Sequence, residues 1–287
     1  MKPHERMVRL LPLPAKQAVK AVRHGVDPVL VAAYRRRSGD RRPLPPSRLR
    51  ARAGSPGAAQ FRDGGRRTAE EIERVLAHAD RRVPEFERVL DWGCGAGRVI
   101  SQLIPRGGPG AIFHGCDVDA EAVAWALQHN PGARFAVSRT LPPLPFEGVS
   151  FDLIYSISIL THLDEAQQLA WLAELARVTA PGGLTLLSVH GEHAFGQFRS
   201  GRVVSNTRQC AERIAVHGSL DAEGFIHEPY VRTAGNARDF PGVDPTFGLA
   251  FHSREYVDRT WGEHFEVLDV VERAIAGFQD VVVARKR

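Results

Sequence analysis

The chain has 287 residues, 43% of them hydrophobic, a formal net charge of +5 at pH 7 and three cysteines. This length allows one large domain or two small ones, and an odd cysteine count without a C-x-x-C pair argues against a disulfide framework and a zinc ribbon. No apolar run is long enough to cross a bilayer, and the Leu10–Leu13 segment (LLPL) is too short for a signal peptide, so we expect a cytoplasmic protein.

The charge is distributed unevenly along the chain. Residues 1–88 hold 21 lysines and arginines against 10 acidic residues, whereas the remainder holds 17 against 23. We therefore expect a basic N-terminal arm, residues 1–66, ahead of a domain formed by residues 67–287. Basic arms can bind nucleic acid or anionic membrane, but a solvated arginine-rich surface explains the same composition and is favoured here.

Three patterns precede the first predicted strand. Weak helical stripes run over Ala15–Arg23 and Val29–Arg37, and the proline-rich Arg41–Gly57 segment is typical of an irregular connection. A stronger helical pattern covers Thr68–Val83, where the first residue and Glu71 have the spacing of a capping box. These patterns predict an arm with little packed structure, followed by one amphipathic helix.

A strand-to-helix junction at Arg88–Arg98 (RVLDWGCGAGR) carries the clearest signal. An apolar strand runs into an acid, Asp91, and a helical pattern begins directly after the turn. The turn contains three alternating glycines: Gly93, Gly95 and Gly97. Glycines permit positive φ and a close approach of the backbone to a ligand, and the first helical turn presents free N–H groups. Arg98 stands where the dinucleotide fingerprint G-x-G-x-x-G needs glycine, which argues against NAD or FAD.

A second acid lies at the end of the next predicted strand. Ala111–Asp117 (AIFHGCD) is an apolar run that ends in Asp117, and a helical pattern follows over Asp119–Asn130. An acid at the tip of the second strand of such a unit can accept hydrogen bonds from both hydroxyls of a ribose. The two strands together therefore predict a site for a ribose-containing ligand.

These residues resemble the class I S-adenosylmethionine (SAM)-dependent methyltransferase family, and the resemblance extends from about Thr68 to Arg287. Phe151–Leu163 (FDLIYSISILTHL) and Leu175–Gly191 (LARVTAPGGLTLLSVHG) look like that family's fourth strand, following helix and fifth strand. The resemblance implies a Rossmann-like α/β fold, with a seven-stranded, mostly parallel sheet, an antiparallel last strand and helices on both faces. It also implies SAM as cofactor and S-adenosylhomocysteine as product. The implied cofactor site comprises Asp91, Gly93, Cys94, Gly95, Gly97, Asp117, Val118 and Ser156.

Pattern and resemblance together assign the remaining elements. Strands are expected at Ala133–Val137, Phe151–Ser156, Leu184–Val189, Phe265–Val270 and Gln279–Ala284, and helices at Asp164–Ala180 and Ser253–Trp261. In the helix Asp164–Ala180, the apolar face is predicted to consist of Leu169, Leu172, Ala173 and Ala176. The loop Leu141–Phe146 is expected to run beside the adenine, although residues 138–140 lack the Asp that family members often carry there.

The long segment Gly191–His252 departs from the minimal family pattern. It holds six of the fourteen phenylalanines and has poor periodicity. Loops of this length inside a compact domain are usually binding elements or lids. We expect this insertion to have a small core of its own or to line an apolar acceptor pocket, with Tyr230, Phe247 and His252 as candidate substrate contacts.

Two histidines are candidates for a general base. His162 follows the fourth strand and His190 ends the fifth, both at the carboxyl edge of the sheet, and an unperturbed imidazole titrates near neutrality. His190 is preferred because its strand leads straight into the insertion, although each ring could equally be packed or cap a helix. Metal ligation by His190, Glu192 and His193 is not expected, because their spacing is not H-E-x-x-H on a helix.

The function predicted from the sequence is metal-independent methyl transfer from SAM to an O, N or C atom of a small molecule. An enclosed aromatic insertion suits such an acceptor better than a polymer. One alternative is an RNA or DNA methyltransferase that uses the basic arm, although SISILTHL replaces the Asn/Asp-Pro-Pro-Tyr/Phe motif after the fourth strand. A non-catalytic SAM-fold binding protein is the other alternative. No membrane partner is expected, and the sequence leaves a homo-oligomer open.

Deletion of residues 1–50 tests the role of the arm. We expect the arm to cover the active site, because its charges lie among prolines without the aromatic residues that stack on bases. The truncated protein should lose turnover or SAM retention while its core stays folded, as measured by methyl transfer and circular dichroism. Tight, salt-dependent binding of RNA or duplex DNA that disappears with the deletion would contradict this expectation.

Overall fold

The computed structural model describes residues 13–203, 212–230 and 246–287, with side chains described from residue 25 onward. Cys210 and Phe240, one of the six phenylalanines of the insertion, lie outside these ranges. The chain divides into two compact units, Met1–Gly64 and Gly65–Arg287. Among the described helices, none combines the length and the apolar character needed to cross a bilayer.

The first unit is built from helices. One continuous helix, α1 (Leu13–Ser38), passes through Pro28 and spans both of the weak stripes in the sequence. A short helix, α2 (Ser47–Arg52), lies within the segment predicted to be irregular. The next helix, α3 (Ala58–Ala77), begins in this unit, continues into the second and includes Thr68 in its interior. The predicted capping box at that residue is therefore wrong, because buried apolar residues upstream extend the helix.

A buried arginine organises the proline-rich part of the first unit. The Arg50 side chain is 1% exposed, forms an ion pair with Asp27, and donates to the carbonyls of Pro45 (2.7 Å) and Pro56 (3.0 Å). A buried guanidinium is tolerated only when its donors are paired. Since these carbonyls come from chain without regular backbone hydrogen bonding, Arg50 fixes the course of that chain. The segment is packed, contrary to the prediction.

Strands form the centre of the second unit. Its described strands are β1 (Arg88–Trp92), β2 (Ile112–Asp117), β3 (Ala133–Val137), β4 (Phe151–Ser156), β5 (Thr179–Val189), β6 (Phe225–Pro229), β7 (Gly248–His252), β8 (Phe265–Ile275) and β9 (Gln279–Lys286). Seven of them form one sheet in the order β3-β2-β1-β4-β5-β9-β8, and β6 pairs with β7. Strands β1 to β5 pair in parallel, and β9 runs antiparallel to both of its neighbours. This topology confirms the predicted fold class.

Two hydrophobic clusters cover the two faces of the sheet. The described helices of this unit are α4 (Ile100–Leu103), α5 (Ala120–His129), α6 (Glu165–Val178), α7 (Glu192–Arg199), α8 (Leu220–Glu223) and α9 (Arg254–Trp261). Successive strand residues alternate between the clusters, so that Val89 packs in one and Leu90 in the other. Because side chains of a strand point alternately to opposite faces, both faces are buried, as is usual for a parallel sheet.

The buried face of α6 differs from the predicted one. Leu169 is 40% exposed and Ala173 is also exposed, whereas Gln168, Trp171 and Leu175 are buried. The helix presents polar side chains to the interior because they find hydrogen-bond partners in the backbone of neighbouring loops. The prediction that Leu169 and Ala173 lie on the buried face was wrong, because periodicity alone cannot detect hydrogen-bond partners of polar side chains.

The described parts of the insertion have a core of their own. Helices α7 and α8 pack with the antiparallel pair β6 and β7 around a third hydrophobic cluster. Its buried members are Phe195, Phe198, Ile214, Leu220, Ile226, Leu249 and Phe251. The weak periodicity of this segment thus reflects short elements that share one aromatic core.

A substitution in this third cluster tests its contribution to stability. Phe251 is fully buried, and Phe251→Ala should lower the free energy of unfolding by about 3–5 kcal/mol through lost burial and a residual cavity. Val216, which is 82% exposed, provides the control, and Val216→Ala should change stability by no more than about 0.5 kcal/mol. Urea denaturation measures both. Equal effects of the two substitutions would show that the cluster is not a stable core.

Candidate active site

The glycine turn between β1 and α4 lies at the carboxyl edge of the sheet. Gly93, Gly95 and Gly97 have φ values of +83°, +51° and +78°, a region that favours glycine. A Cβ at Gly93 would collide with the side chain of Ile159, and one at Gly97 would lie 2.8 Å from Nδ2 of Asn130. At Gly95, in contrast, no described heavy atom lies within 4 Å of that position. The middle of the turn is therefore open to a ligand, while its two ends are packed.

Asp117, at the tip of β2, fixes the shape of this turn. Its Oδ2 accepts a hydrogen bond from the Gly95 N–H at 2.8 Å, and its Oδ1 accepts from the Asp119 N–H at 2.8 Å. The N–H groups of Gly93 and Cys94 donate to the Cys116 carbonyl at 2.8 and 3.0 Å. A carboxylate has about four acceptor positions, so Asp117 can also accept from hydroxyl groups of a ligand.

The carboxylates of Asp91, which is buried, and Asp117, which is half-buried, would both be stabilised by a nearby positive charge. Burial raises the pKa of Asp91 to about 7, and the charge of Asp117 adds to the effect, while the Tyr155 hydroxyl and the Arg98 guanidinium act in the opposite direction. Burial also raises the pKa of Asp117, against the effect of its N–H donors. A cationic ligand would favour the ionised form of both groups. These residues therefore fit SAM, which carries a sulfonium and an ammonium group.

The other predicted cofactor residues lie around the same turn. Burial raises the pKa of the thiols of Cys94 and Cys116, which are neutral and pack as small apolar groups. The Ser156 hydroxyl donates to the Trp92 carbonyl at 2.8 Å and so joins the ends of β4 and β1. Val118 is half-buried beside Asp117. Contact of these side chains with a cofactor stays a prediction.

The loop after β4 is anchored by residues that the sequence reasoning missed. Ser158 has φ +65°, its N–H donates to the Ser188 hydroxyl at 2.7 Å, and its hydroxyl pairs with the Gln279 side chain. Nε2 of Gln168 donates to the carbonyls of Leu160 and Leu163 at 2.9 Å each. A glutamine inside the apolar stripe of α6 was the available signal. These contacts hold the single helical turn Leu160–His162 in place.

His162 lies on that turn and contacts the insertion. Its Nδ1 is 2.8 Å from the Gly248 carbonyl and 3.2 Å from the Tyr230 hydroxyl. A carbonyl can only accept, so the tautomer with the proton on Nδ1 satisfies it and leaves the Nε2 lone pair available. The Phe247 ring lies 4.7 Å from the imidazole. Burial lowers the pKa of His162, which is therefore neutral at pH 7.

His190 is enclosed by aromatic rings. The imidazole is 4% exposed, and the rings of Phe198, Phe251 and Phe278 lie 5.7, 5.4 and 5.5 Å away. Its Nδ1 is 3.2 Å from the Ala250 carbonyl. Burial lowers the pKa of His190 to about 3, with further contributions from neighbouring histidines. A histidine with so low a pKa is a weak base.

The predicted substrate residues divide into two groups. Tyr230 and Phe247 both lie against His162, with ring centroids 5.9 and 4.7 Å from its own. His252 is 2% exposed, and its Nε2 is 2.7 Å from Oε1 of Gln168. Burial lowers the pKa of His252 to about 3. Over the described ranges, no group of three or more histidine, cysteine or acidic side chains has an arrangement that could hold a metal ion.

Comparisons with known proteins agree with this geometry. Residues 89–183 match a family model described as a methyltransferase domain. The chain is 28% identical over 181 residues to trans-aconitate 2-methyltransferase of Delftia acidovorans, covering 62% of this chain and 66% of that protein. It is 27% identical over 120 residues to the tRNA N(3)-cytidine methyltransferase METTL2 of Gallus gallus, covering 39% of this chain and 32% of that protein.

A solved structure shares the fold. The PH0226 protein of Pyrococcus horikoshii OT3 superposes with a TM-score of 0.52 at 15% identity, covering 77% of this chain and 90% of that one. The chain spans from about a third to two thirds of the length of the two curated relatives above. The matched domain runs from β1 into β5 and includes the glycine turn, Asp91, Asp117 and His162. Residues 89–183 therefore form a methyltransferase domain, and the family model, the relatives and the fold support the predicted class I SAM-dependent methyltransferase with SAM as cofactor.

Proposed function

We propose that this protein transfers the methyl group of SAM to an oxygen or nitrogen atom of a small molecule. The observation that carries the proposal is a neutral imidazole, His162, whose Nδ1 is engaged by the Gly248 carbonyl, so that its Nε2 carries the lone pair. SAM supplies the electrophilic methyl group. An acceptor hydroxyl or protonated amine must lose a proton to become a nucleophile, and a histidine at this edge can accept it.

The glycine turn and Asp117 would hold the cofactor. Gly95 offers an open approach to the backbone, and Asp117 retains acceptor positions for the ribose hydroxyls. Asp91, buried beside the turn, favours a cationic group on the ligand. Methyl transfer needs the acceptor in line with the methyl group and sulfur, and such alignment can contribute about 7–11 kcal/mol. The loop after β4, which several hydrogen bonds anchor, would help to hold the acceptor in this alignment.

We favour His162 over His190 as the base. Both histidines leave strands at the carboxyl edge, but His190 is enclosed by three phenylalanine rings and has a pKa near 3. The pKa of His190 is far below that of an acceptor hydroxyl or ammonium group, so proton transfer to this histidine has little driving force. His162 is less buried and has Tyr230 and Phe247 beside it. Chain position alone favours His190, but it carries no information on burial.

The acceptor proposed for this site is an uncharged or aromatic group. Tyr230 and Phe247 offer ring surface next to His162, and the histidines there are neutral at pH 7. The similarity to trans-aconitate 2-methyltransferase supports a small acceptor. Similarity to a tRNA methyltransferase, together with 21 basic residues in the first 88, supports RNA as a second candidate. A non-catalytic role in the cytoplasm is the third, and it predicts SAM binding without turnover.

A screen for methyl transfer separates these candidates. The full-length protein is incubated with SAM carrying a deuterated methyl group and with phenols, amines and carboxylic acids, or with total tRNA, in parallel. The proposal predicts that the label appears in a small molecule and that S-adenosylhomocysteine forms in equal amount. Label in tRNA alone would favour the second candidate. Binding of SAM without product in any arm would favour the non-catalytic protein.

Replacement of Asp117 tests the cofactor site. Hydrogen bonds to a charged partner contribute about 1.5–3 kcal/mol each, so Asp117→Ala should weaken SAM binding at least about tenfold. Calorimetry measures the affinity and circular dichroism checks the fold. Asp258→Ala, on the exposed face of α9, is the control and should bind as the wild type does. Gly95→Val should be worse than Asp117→Ala, because a β-branched side chain would strain the turn and fill its open approach.

Replacement of each histidine tests the base. His162→Ala should lower kcat by about 10²–10⁴ with little change in SAM affinity, whereas His190→Phe, which keeps the aromatic packing, should retain most of the rate. Single-turnover methyl transfer measures both. Because burial lowers the pKa of His162, the wild-type rate should fall only as the pH drops below the ordinary histidine value of about 6.5. Wild-type rates in His162→Ala would remove this residue from the mechanism.

A further inference from the structure

A cavity of about 340 Å³ lies at the amino edge of the sheet, at the opposite end of the strands from the glycine turn. Four adjacent strands, β3, β2, β1 and β4, and the loop that leads into β4 contribute to its wall. The residues that give it chemical character are Arg88, His114, Arg134, Phe146, Glu147 and Phe151. Phe146 ends the loop Leu141–Phe146 that was predicted to run beside the adenine, but here it lines a cavity at the opposite edge of the sheet. The other five residues have no part in the site of methyl transfer proposed above.

The cavity follows from the connection between β3 and β4. In a parallel sheet, the helices of the crossover connections normally cover both faces. Residues 138–150, which join these two strands, form no helix. Strand β3 accordingly has no fully buried residue. A loop takes the place of a covering helix, and the cavity is the space that this loop encloses against the sheet.

Helix α6 holds the loop firmly. The Arg177 guanidinium donates to the Phe146 carbonyl at 3.0 Å, and the Arg177 carbonyl accepts from the Val149 N–H at 3.0 Å. The Ser150 N–H donates to the Val178 carbonyl at 2.8 Å. Because these bonds fix the wall before any ligand arrives, binding here would not have to order the loop.

The charges of the lining favour an anion. Arg88 and Arg134 flank His114 on neighbouring strands, and neither arginine forms an ion pair with an acidic residue in the described ranges. Burial lowers the pKa of His114, and the two arginines lower it further, so the imidazole is neutral at pH 7. Glu147 is the single acid of the lining. The lining therefore carries a net positive charge.

The floor of the cavity is aromatic. The His114 ring packs edge-on against Phe146 and Phe151, with centroids 5.9 and 5.2 Å away. Its Nδ1 is buried and therefore offers no hydrogen bond to a bound molecule. Ring faces and edges favour a flat apolar ligand body.

We propose that this cavity binds a small organic anion with a flat apolar body, an aromatic carboxylate in its simplest form. A guanidinium offers two parallel N–H groups that match the two oxygens of a carboxylate. The volume lies at the lower end of the range of about 300–1,000 Å³ that is typical of small-molecule sites. This ligand site does not depend on the proposed methyl acceptor and can be tested separately.

Calorimetric titration of the full-length protein with 2-naphthoate tests the proposal. The wild type should bind with a Kd below about 1 mM, and the neutral isostere 2-naphthamide should bind at least about tenfold more weakly. Arg134→Glu should weaken 2-naphthoate binding at least about tenfold. Arg134→Lys, which keeps the charge, should weaken it less than Arg134→Glu does. Arg254→Glu, on α9 and outside the cavity, is the control and should bind as the wild type does.

Three results would overturn the proposal: no binding of 2-naphthoate by the wild type, equal affinity for acid and amide, or an unchanged affinity in Arg134→Glu. The last result would mean that 2-naphthoate occupies another site, such as that of the methyl acceptor. Circular dichroism and binding of S-adenosylhomocysteine show whether Arg134→Glu is folded. If Arg134→Glu is not folded, 2-naphthoate binding by Arg88→Gln replaces it as the test. The comparison of 2-naphthoate with 2-naphthamide on the wild type then remains valid.

Discussion

The carboxylate of Asp117 is the contact on which the cofactor edge depends. One of its oxygens accepts from Gly95 in the glycine turn and the other from Asp119 at the start of α5. A single side chain thus joins the turn after β1 to the turn after β2. Its burial is unfavourable for a charge, and backbone donors offset only part of that cost. In the proposed complex, ribose hydroxyls of SAM would donate further hydrogen bonds to this carboxylate and offset more of the cost.

The insertion has a direct part in the chemistry proposed for the site. Its strand β7 supplies the Gly248 carbonyl that selects the tautomer of His162, and Gln168 connects the same turn to His252. The third hydrophobic cluster holds β7 in position. The core of the insertion and the tautomer of the candidate base are therefore coupled, although they are distant in sequence.

Local chemistry explains what the sequence could predict. The glycine turn was predictable because positive φ and an acid at a strand tip leave a signature within a few residues, and the sheet order followed from the family resemblance. Features set by individual side-chain contacts were not predictable, because hydrophobic periodicity does not record them. Arg50 packs an apparently irregular segment by donating to its backbone carbonyls. Gln168 is buried in α6 because it donates to two carbonyls of the turn just before the helix. The burial of His190 depends on phenylalanines from three separate segments.

Proton release on SAM binding tests the central claim most directly. The pKa of Asp91 is raised to about 7, so this carboxyl is partly protonated near neutral pH. A cation bound beside it should lower that pKa, and protons should be released. Calorimetric titration of the full-length protein with SAM at pH 7, in buffers with different heats of ionisation, measures this quantity. The account predicts binding with net proton release that disappears in Asp91→Asn. Absence of SAM binding, or binding with proton uptake, would contradict it.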